Sequence, residues 1–498
     1  MANIIIKNCN QCELDVPLKY GQKLFQDFAV RHPNAFYLRT RVRGMSDWDG
    51  KVKFITKTGL FKIGLLPAIL AKCKEYGLKV NVIDMRRPVP KVTKVVKKIG
   101  RFTLRPEQVA AVESICFNQV NNQPFHIGVL DYTVNAGKTL IMAATYLSFK
   151  RELKTLLITN DSDWFRQAQE EFKEYLPGEN INFIQGRSKK PWAQFNIGMV
   201  QSISRNMKFY QREMAGIDMV FVDEADQAGS RQYQNVLTHL FNTRVRIGLS
   251  GTIYMSKLAK DKVKNMNLRA FFGDVIGKFT LRESIDKGYS TNVVVKMIEV
   301  GKYFKLKSPD CTLGKSYQEL YENCIIKNPA AVVPILHRAI FNIRRGRIPL
   351  LVVCKFVKHA ELLCKILKTA LGKTYNIACV HVKTPDKERK KIMQDFRSGK
   401  IQILVSTTII ARGKNFPLLR AMINAGSMKA QEKTIQFLGR LVRTHSSKSK
   451  TYLDDIHYPG KYLDNHGRSR RRYYQEQKLK VLRITFKTDG VHLFNPGD

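Results

Sequence analysis

Acidic side chains are scarce in this chain: 41 Asp and Glu stand against 85 Lys and Arg, a net charge of +44 over 498 residues. An excess of that size repels itself unless a polyanion compensates it, which points to nucleic acid as a partner. The imbalance runs through the whole chain instead of one tail, so a merely basic solvent face explains it less well. Also lacking is any apolar run approaching the roughly 20 residues that cross a bilayer, and no basic-then-apolar leader opens the chain. A soluble cytoplasmic protein without a membrane partner is expected. Short-period repeats and low-complexity tracts are absent too. The nine cysteines are odd in number and lack framework spacing, and several sit in apolar runs such as "LLVVCKF" and "ELLCKIL", as buried thiols in a reducing compartment do. Cys9 and Cys12 form one C-x-x-C, but no second pair or His pair stands at zinc-ligand spacing, so no metal site is expected there.

What is present divides the chain. Its length exceeds what one core usually organises, so several domains are expected. Residues 1–84 alternate short strand-like runs ("NIIIK", "FYLRTRV", "KVKFIT", "KVNVID") with two helical stretches and read as a small α+β domain. Residues 85–101, "MRRPVPKVTKVVKKIGR", hold seven basic residues, no acid and two prolines, as an extended solvated linker would. From 102 to 300 the apolar runs "TLLITN", "NIGMVQS", "DMVFVDEA" and "VRIGLSGT" alternate with helical segments, the pattern of a parallel sheet wrapped by crossover helices. The pattern repeats over 325–460 with "IPLLVVCKF", "NIACVHV" and "IQILVSTT". A basic C-terminal extension, 461–498, comes last; seven basic residues face one acid between 468 and 483. The fold class expected is α/β.

Three stretches carry chemistry. "LDYTVNAGKTLIMAA" (130–144) reads as a strand end, a tight turn and a helix start, where the amides of Asn135, Ala136 and Gly137 converge on an anion. Lys138 would reach nucleotide phosphates and the Thr139 hydroxyl would ligate Mg²⁺, although Tyr132 replaces the leading glycine of the usual G-x-x-x-x-G-K-[ST]. "DMVFVDEADQ" places four apolar residues before Asp223 and Glu224, so both acids emerge where a buried strand ends: Asp223 suits Mg²⁺, partly through water, and Glu224 suits orienting and deprotonating the attacking water. "QFLGRLVR" (436–443) sets Arg440 and Arg443 on one helical face, able to neutralise charge on a transferring phosphoryl group.

In order from Phe102 to Arg443, these stretches resemble the superfamily 2 helicases. The resemblance implies two tandem RecA-like domains, ATP and Mg²⁺ as cofactors, and coupled closure of the lobes on nucleotide. It assigns "FTLRPEQ" to the adenine-side motif, with Arg105 and Gln108 at the nucleotide, and "TNDSDWFRQ" to motif Ia. "MVQSIS", with Gln201 and Ser202, would contact the nucleic-acid strand. "LSGT", with Ser250, Gly251 and Thr252, would couple nucleotide state to movement. "VSTTIIARGKNFP" is similar to motif V: Thr407 and Thr408 would touch the strand, Gly413 and Asn415 the nucleotide. Gln436 opens motif VI where DEAD-box RNA helicases carry His, and Tyr132 and Asn135 stand where motif I usually has a small residue and glycine. "MSDWDGKVKFITKTGLFKIGLLPAI" (45–69), succeeded by the basic linker and "LRPEQ", looks like the opening of UvsW-type phage recombination helicases. That implies unwinding or remodelling of single-stranded and branched DNA in recombination, repair or replication, in a host cytoplasm. Charge and position alone assign nucleic-acid contact to residues 1–84 and to the Arg-rich tail, with Arg470 and Arg471 holding duplex or junction arms. An RNA helicase with the same engine, or a duplex DNA translocase that separates no strands, are the alternatives.

Overall fold

The computed structural model describes residues 2–42, 44–186, 192–253, 261–300, 316–408, 416–428, 434, 437–439 and 441–486, in two compact units, 1–279 and 280–498. The first begins with β1 (Ala2–Asn8), β2 (Gln11–Asp15), β3 (Leu60–Phe61) and β4 (Val80–Asp84), a sheet of order β3-β2-β1-β4 carrying α1 (Leu18–Asp27) and α3 (Leu66–Glu75). Between them "FYLRTRV", expected as a strand, is instead helix α2 (Ala35–Arg41). It holds few β-branched residues and several good helix formers, and its aromatic Phe36 and Tyr37 face solvent rather than a sheet neighbour.

This small domain shares a core with the α/β layers of the same unit. Ile4, Ile6, Ile63 and Ile69 pack in one cluster with Phe125, Ile127 and Ala270. The Cys9 amide donates to Phe241 O at 3.0 Å, and the Asn10 side chain bridges Thr238 O and buried Arg246. The linker is not wholly solvated as expected: Val95 and Ile99 are buried, and the Val96 amide donates to Ser148 Oγ at 2.9 Å. Its lysines stay outside while its few apolar residues find the core.

A seven-stranded parallel sheet comes next in the chain: β5 (Ile127–Tyr132), β6 (Thr155–Thr159), β7 (Ile181–Ile184), β8 (Phe195–Met199), β9 (Met219–Asp223), β10 (Val245–Ser250) and β11 (Val275–Phe279), in the order β7-β8-β6-β9-β10-β5-β11. Strands covered on both faces read as continuous apolar runs, and β6, β8, β9 and β10 are buried at every position. Around them lie α4 (Pro106–Cys116), α5 (Lys138–Ser148), α6 (Ser162–Tyr175) and α7 (Val200–Arg205). Helix α6 starts where it does because Asp161 accepts from the amides of Asp163 and Trp164, and it buries Phe165, Ala168 and Phe172 on one face.

The second unit repeats the plan with β12 (Asn292–Glu299), β13 (Leu350–Cys354), β14 (Ile377–Val380), β15 (Ile403–Thr407), β16 (Ala421–Asn424), β17 (Lys450–His457) and β18 (Lys480–Thr485), in the order β14-β15-β13-β16-β17-β12-β18, with α8 (Val332–Arg344) and α9 (Lys461–Glu476) among its helices. Counted along the chain, both sheets have the order 3-4-2-5-6-1-7. Two expected boundaries therefore move. Residues 292–299, placed in the first α/β domain, belong to the second sheet. The expected extension 461–498 supplies that sheet's edge strand, "KVLRIT", which pairs with β12 along one side only, and a covering helix. No single described helix is long and apolar enough to cross a membrane.

Candidate active site

The turn after β5 holds two left-handed residues, Asn135 at φ 65° and Gly137 at φ 73°. Asparagine visits that region more readily than other side chains, so Asn135 reproduces the backbone of the glycine it replaces. Gly137 has no substitute: a Cβ there would overlap the Gln108 amide. Helix α5 begins at Lys138 without a side-chain cap, leaving its first amides to an anion. Lys138 Nζ donates to Tyr132 O at 3.2 Å and Thr133 O at 3.4 Å, folding back over its own turn, and Thr139 is partly exposed beside it.

The large side chain of Tyr132 does not fill this turn. Its ring lies 5.9 Å from that of Phe279 and its hydroxyl donates to Glu107 O at 3.0 Å. Gly277 leaves room for the ring, so the departure from the motif is absorbed by the core. Gln108 and Arg105, expected at the nucleotide, grip the turn that precedes Lys138. Gln108 Nε2 donates to Ala136 O at 2.9 Å, its Oε1 accepts from the Arg105 amide at 2.9 Å, and Arg105 Nη2 donates to Asn135 O at 3.1 Å.

Asp223 closes β9, is 5% exposed, and its carboxyl is pushed up to about 6 by burial, with Lys138 pulling it back down. Glu224 comes next in a left-handed conformation, φ 51°, a strain that functional turns commonly carry. Its Oε2 accepts from Gln227 Nε2 at 2.6 Å, and Gln227 in turn accepts from Asn160 at the end of β6. Buried Asp226 accepts from Ser250 Oγ at 2.7 Å, and that hydroxyl lies 3.1 Å from Thr252 Oγ1. A Cβ on Gly251 would sit 3.1 Å from Tyr132 O, so this turn approaches the Lys138 turn backbone to backbone. Lys138, the two acids and the 250–252 segment thus lie together at the carboxyl ends of neighbouring strands, where open parallel sheets bind ligands. Asp226, Gln227 and Asn160 were missed as site residues; all three lay inside quoted stretches, Asp226 and Gln227 in "DMVFVDEADQ" and Asn160 in "TNDSDWFRQ", but no spacing singled them out from their neighbours.

Gln201 and Ser202 lie at the same edge, Gln201 Nε2 donating to Asn160 O at 3.3 Å and Ser202 Oγ accepting from the Gly186 amide at 2.8 Å. In the second unit Thr407 ends β15, with Thr408 partly exposed beyond it, and the Arg443 carbonyl accepts from Thr291 Oγ1 at 3.1 Å. Gly413, Asn415, Gln436 and Arg440 lie outside the described residues. Arg470 is a correction: 1% exposed, it is forked onto Asp455 and donates to Met428 O at 2.7 Å, so it is withdrawn from any strand. The basic count of the tail did not reveal that one arginine faced inward. Arg471 lies 3.7 Å from Glu299.

The donors and acids around Lys138 fit a nucleotide and a hydrated divalent cation: an uncapped helix start and left-handed turn for phosphates, a buried ionisable carboxyl and a hydroxyl for the cation. Comparison with known proteins agrees with that chemistry. Residues 101–255 match the family model of the type III restriction enzyme res subunit, and 332–445 match the helicase conserved C-terminal domain; together they span more than half the chain. The ATP-dependent DNA helicase uvsW of Enterobacteria phage T4 is 23% identical over 92% of this chain and 94% of its own length. A putative helicase of a Sulfolobus islandicus filamentous virus is 23% identical over 72% of this chain and 65% of its own. In fold, a fragment of a putative HsdR subunit of a type I restriction enzyme from Vibrio vulnificus YJ016 superposes with a TM-score of 0.57 at 15% identity, covering 96% of this chain and 85% of that one. With both helicase modules in order on two parallel sheets of one topology, the chain belongs to the superfamily 2 helicases and is an ATP-hydrolysing enzyme of that group.

Proposed function

We propose that the chain is an ATP-dependent DNA helicase or translocase that unwinds or remodels branched DNA. The observation that carries the choice of DNA is the extent of the match to the phage T4 DNA helicase, 92% of this chain, whereas three RNA helicases matched by sequence align over only 16–18% of it.

In this reading Lys138 and the amides of 136–139 bind the β- and γ-phosphates, and Thr139 with Asp223 holds Mg²⁺, which supplies charge neutralisation at the phosphates. Glu224 orients the attacking water and takes its proton, with Gln227 fixing the carboxylate. Arg440 and Arg443 keep the family role of stabilising the transferring phosphoryl group. The Asp226–Ser250–Thr252 chain ties the acidic turn to the segment that senses the nucleotide. Gln201, Ser202, Thr407 and Thr408 hold the strand through its backbone, as a motor indifferent to sequence requires.

The amino-terminal domain is assigned to the duplex or junction arms. In support, Phe36 and Tyr37 are 81% and 56% exposed on α2 beside Arg39 and Arg41, a pairing of aromatic faces and cations suited to base stacking and phosphate contact.

The test is ATP hydrolysis by the full chain with single-stranded, duplex, forked and four-way DNA beside matched RNA. Forked or four-way DNA is expected to stimulate most, and equal or greater stimulation by RNA would sink the DNA assignment. In Phe36→Ala/Tyr37→Ala, junction affinity should fall at least about thirtyfold, for one to three kcal/mol of stacking on each ring, with single-strand stimulation unchanged.

A further inference from the structure

The second unit carries a cavity of about 290 Å³ at the carboxyl ends of β12, β17 and β18. These are the first, sixth and seventh strands of their sheet, and their counterparts β5, β10 and β11 end around the Lys138 turn of the first unit. The two sites are therefore topological equivalents, at the edge where parallel sheets collect ligands. The segment that follows β12, 301–315, lies outside the described residues; among the described ones, Arg468, Arg471, Arg483 and His457 converge on the cavity together with Glu299 and Asp464.

Three features fit the cavity to an anion. First, α9, sixteen residues long, starts at its wall after Gly460, with no side-chain cap, so the positive end of the helix meets the cavity. Second, the His457 side chain is only 10% exposed; its Nε2 lies 3.0 Å from Asp464 Oδ1, while its buried Nδ1 has no hydrogen-bond partner among the described residues. The helix is cut away to seat this ring, since a Cβ on Gly467 would overlap it. Third, the arginines are aimed without being used up. Glu299 accepts from Arg483 at 2.7 and 3.0 Å, and Asp464 pairs with Arg468 at 2.7 Å, but Arg483 and Arg468 are 61% and 67% exposed. Exposed ion pairs of this kind are weak, whereas a phosphate oxygen pair accepts the guanidinium fork bidentately and with greater charge.

We infer that this cavity is a second phosphate-binding site, separate from the nucleotide site, that takes the phosphate group of a nucleic-acid strand or of a small phosphorylated compound. Glu299 and Asp464 hold the guanidinium forks in place until the ligand displaces them.

The test titrates the full chain with three probes: inorganic phosphate, a 5′-phosphorylated oligonucleotide and its 5′-hydroxyl twin. Arg468→Gln/Arg483→Gln is compared with Arg101→Gln/Arg166→Gln, which removes the same charge from exposed arginines of the first unit. At least a tenfold loss of affinity is expected in the first double variant, less than twofold in the second, and tighter binding in Glu299→Gln. Loss confined to the 5′-phosphorylated strand identifies a strand end as the source, loss with both strands an internal phosphodiester, and loss with inorganic phosphate alone a small phosphorylated compound. Equal behaviour of the two double variants with all three probes would overturn the assignment.

Discussion

The two parallel sheets have one wiring and opposite uses for their acids. In the first, Asp223 and Glu224 stand at the end of the fifth strand, where Lys138 is the cation that partly offsets the burial of Asp223. In the second, Asp454 and Asp455 lie within the sixth strand, both 0% exposed, and each is claimed by a helix arginine. Arg338 of α8 and Asn342 bind Asp454 at 2.9 and 2.7 Å; Arg470 of α9 and the Tyr474 hydroxyl bind Asp455 at 2.8 and 2.6 Å. Adjacent residues of a strand point to opposite faces, so the two pairs fasten one helix to each side of the sheet. A carboxylate fully saturated by a guanidinium fastens structure; one left only partly compensated at a strand end remains free to do chemistry.

Removing the cation should therefore have different consequences in the two places. Lys138→Ala should cut ATP hydrolysis on the order of 10³-fold, in line with losing a preorganised cation at a developing charge, with the fold intact. Phosphate release and near-ultraviolet circular dichroism measure the two halves of that statement. Turnover near wild type would refute the site.

Arg338→Met should do the reverse. It leaves Asp454 buried without its partner, a loss of about 3–5 kcal/mol that hydrogen exchange across 292–299 and 450–457 would report, whereas Arg338→Met/Asp454→Leu should recover most of it. If the single variant is as stable as the parent, the distinction between fastening and catalytic acids fails.

The sequence made the first role legible and concealed the second, for a physical reason. A glycine-lysine turn after a strand and an acid pair closing another announce themselves because catalysis needs particular residue types at strand ends. Buried apolar runs likewise disclosed most parallel strands. Arg338 and Arg470, by contrast, are indistinguishable in sequence from the many solvated arginines around them, because only packing decides which of them turns inward. The same blindness placed β12 in the wrong domain and read α9 and β18 as a loose tail: a strand that crosses into a second sheet is defined by pairing partners far away in sequence. Helix α2 failed for a local reason, since "FYLRTRV" looks like a strand by its aromatics while its leucine and arginines allow a helix.

A smaller and oppositely signed pair of effects arises from Asp223, whose carboxyl rises from 3.8 to about 6 on burial. Between pH 4 and 6 the folded chain keeps a proton that the unfolded chain has released. Raising pH through that window therefore lowers stability, and the loss is complete above about pH 6. Activity runs the other way, because the cation needs the ionised carboxylate: kcat/KM should fall as pH drops below about 6. In Asp223→Asn the stability slope in that window should fall by roughly half, since burial also pushes the Asp131 carboxyl up to about 6, and urea midpoints at about pH 4 and 6.5 would reveal it.

The smallest effect sharpens where the site ends. Tyr132 occupies a position that would face phosphates if its side chain followed the turn, yet its hydroxyl is spent on Glu107 O and its ring on the core. Tyr132→Phe should therefore cost about 1 kcal/mol of stability, the worth of one buried hydrogen bond with the Glu107 carbonyl left behind, and change ATP hydrolysis less than twofold. The ring fills the volume beside Gly277, so the turn it precedes keeps its left-handed residues and its hold on Lys138. A tenfold fall in hydrolysis without a matching loss of stability would place the phenol within the nucleotide site and move the border between core and chemistry by one strand position.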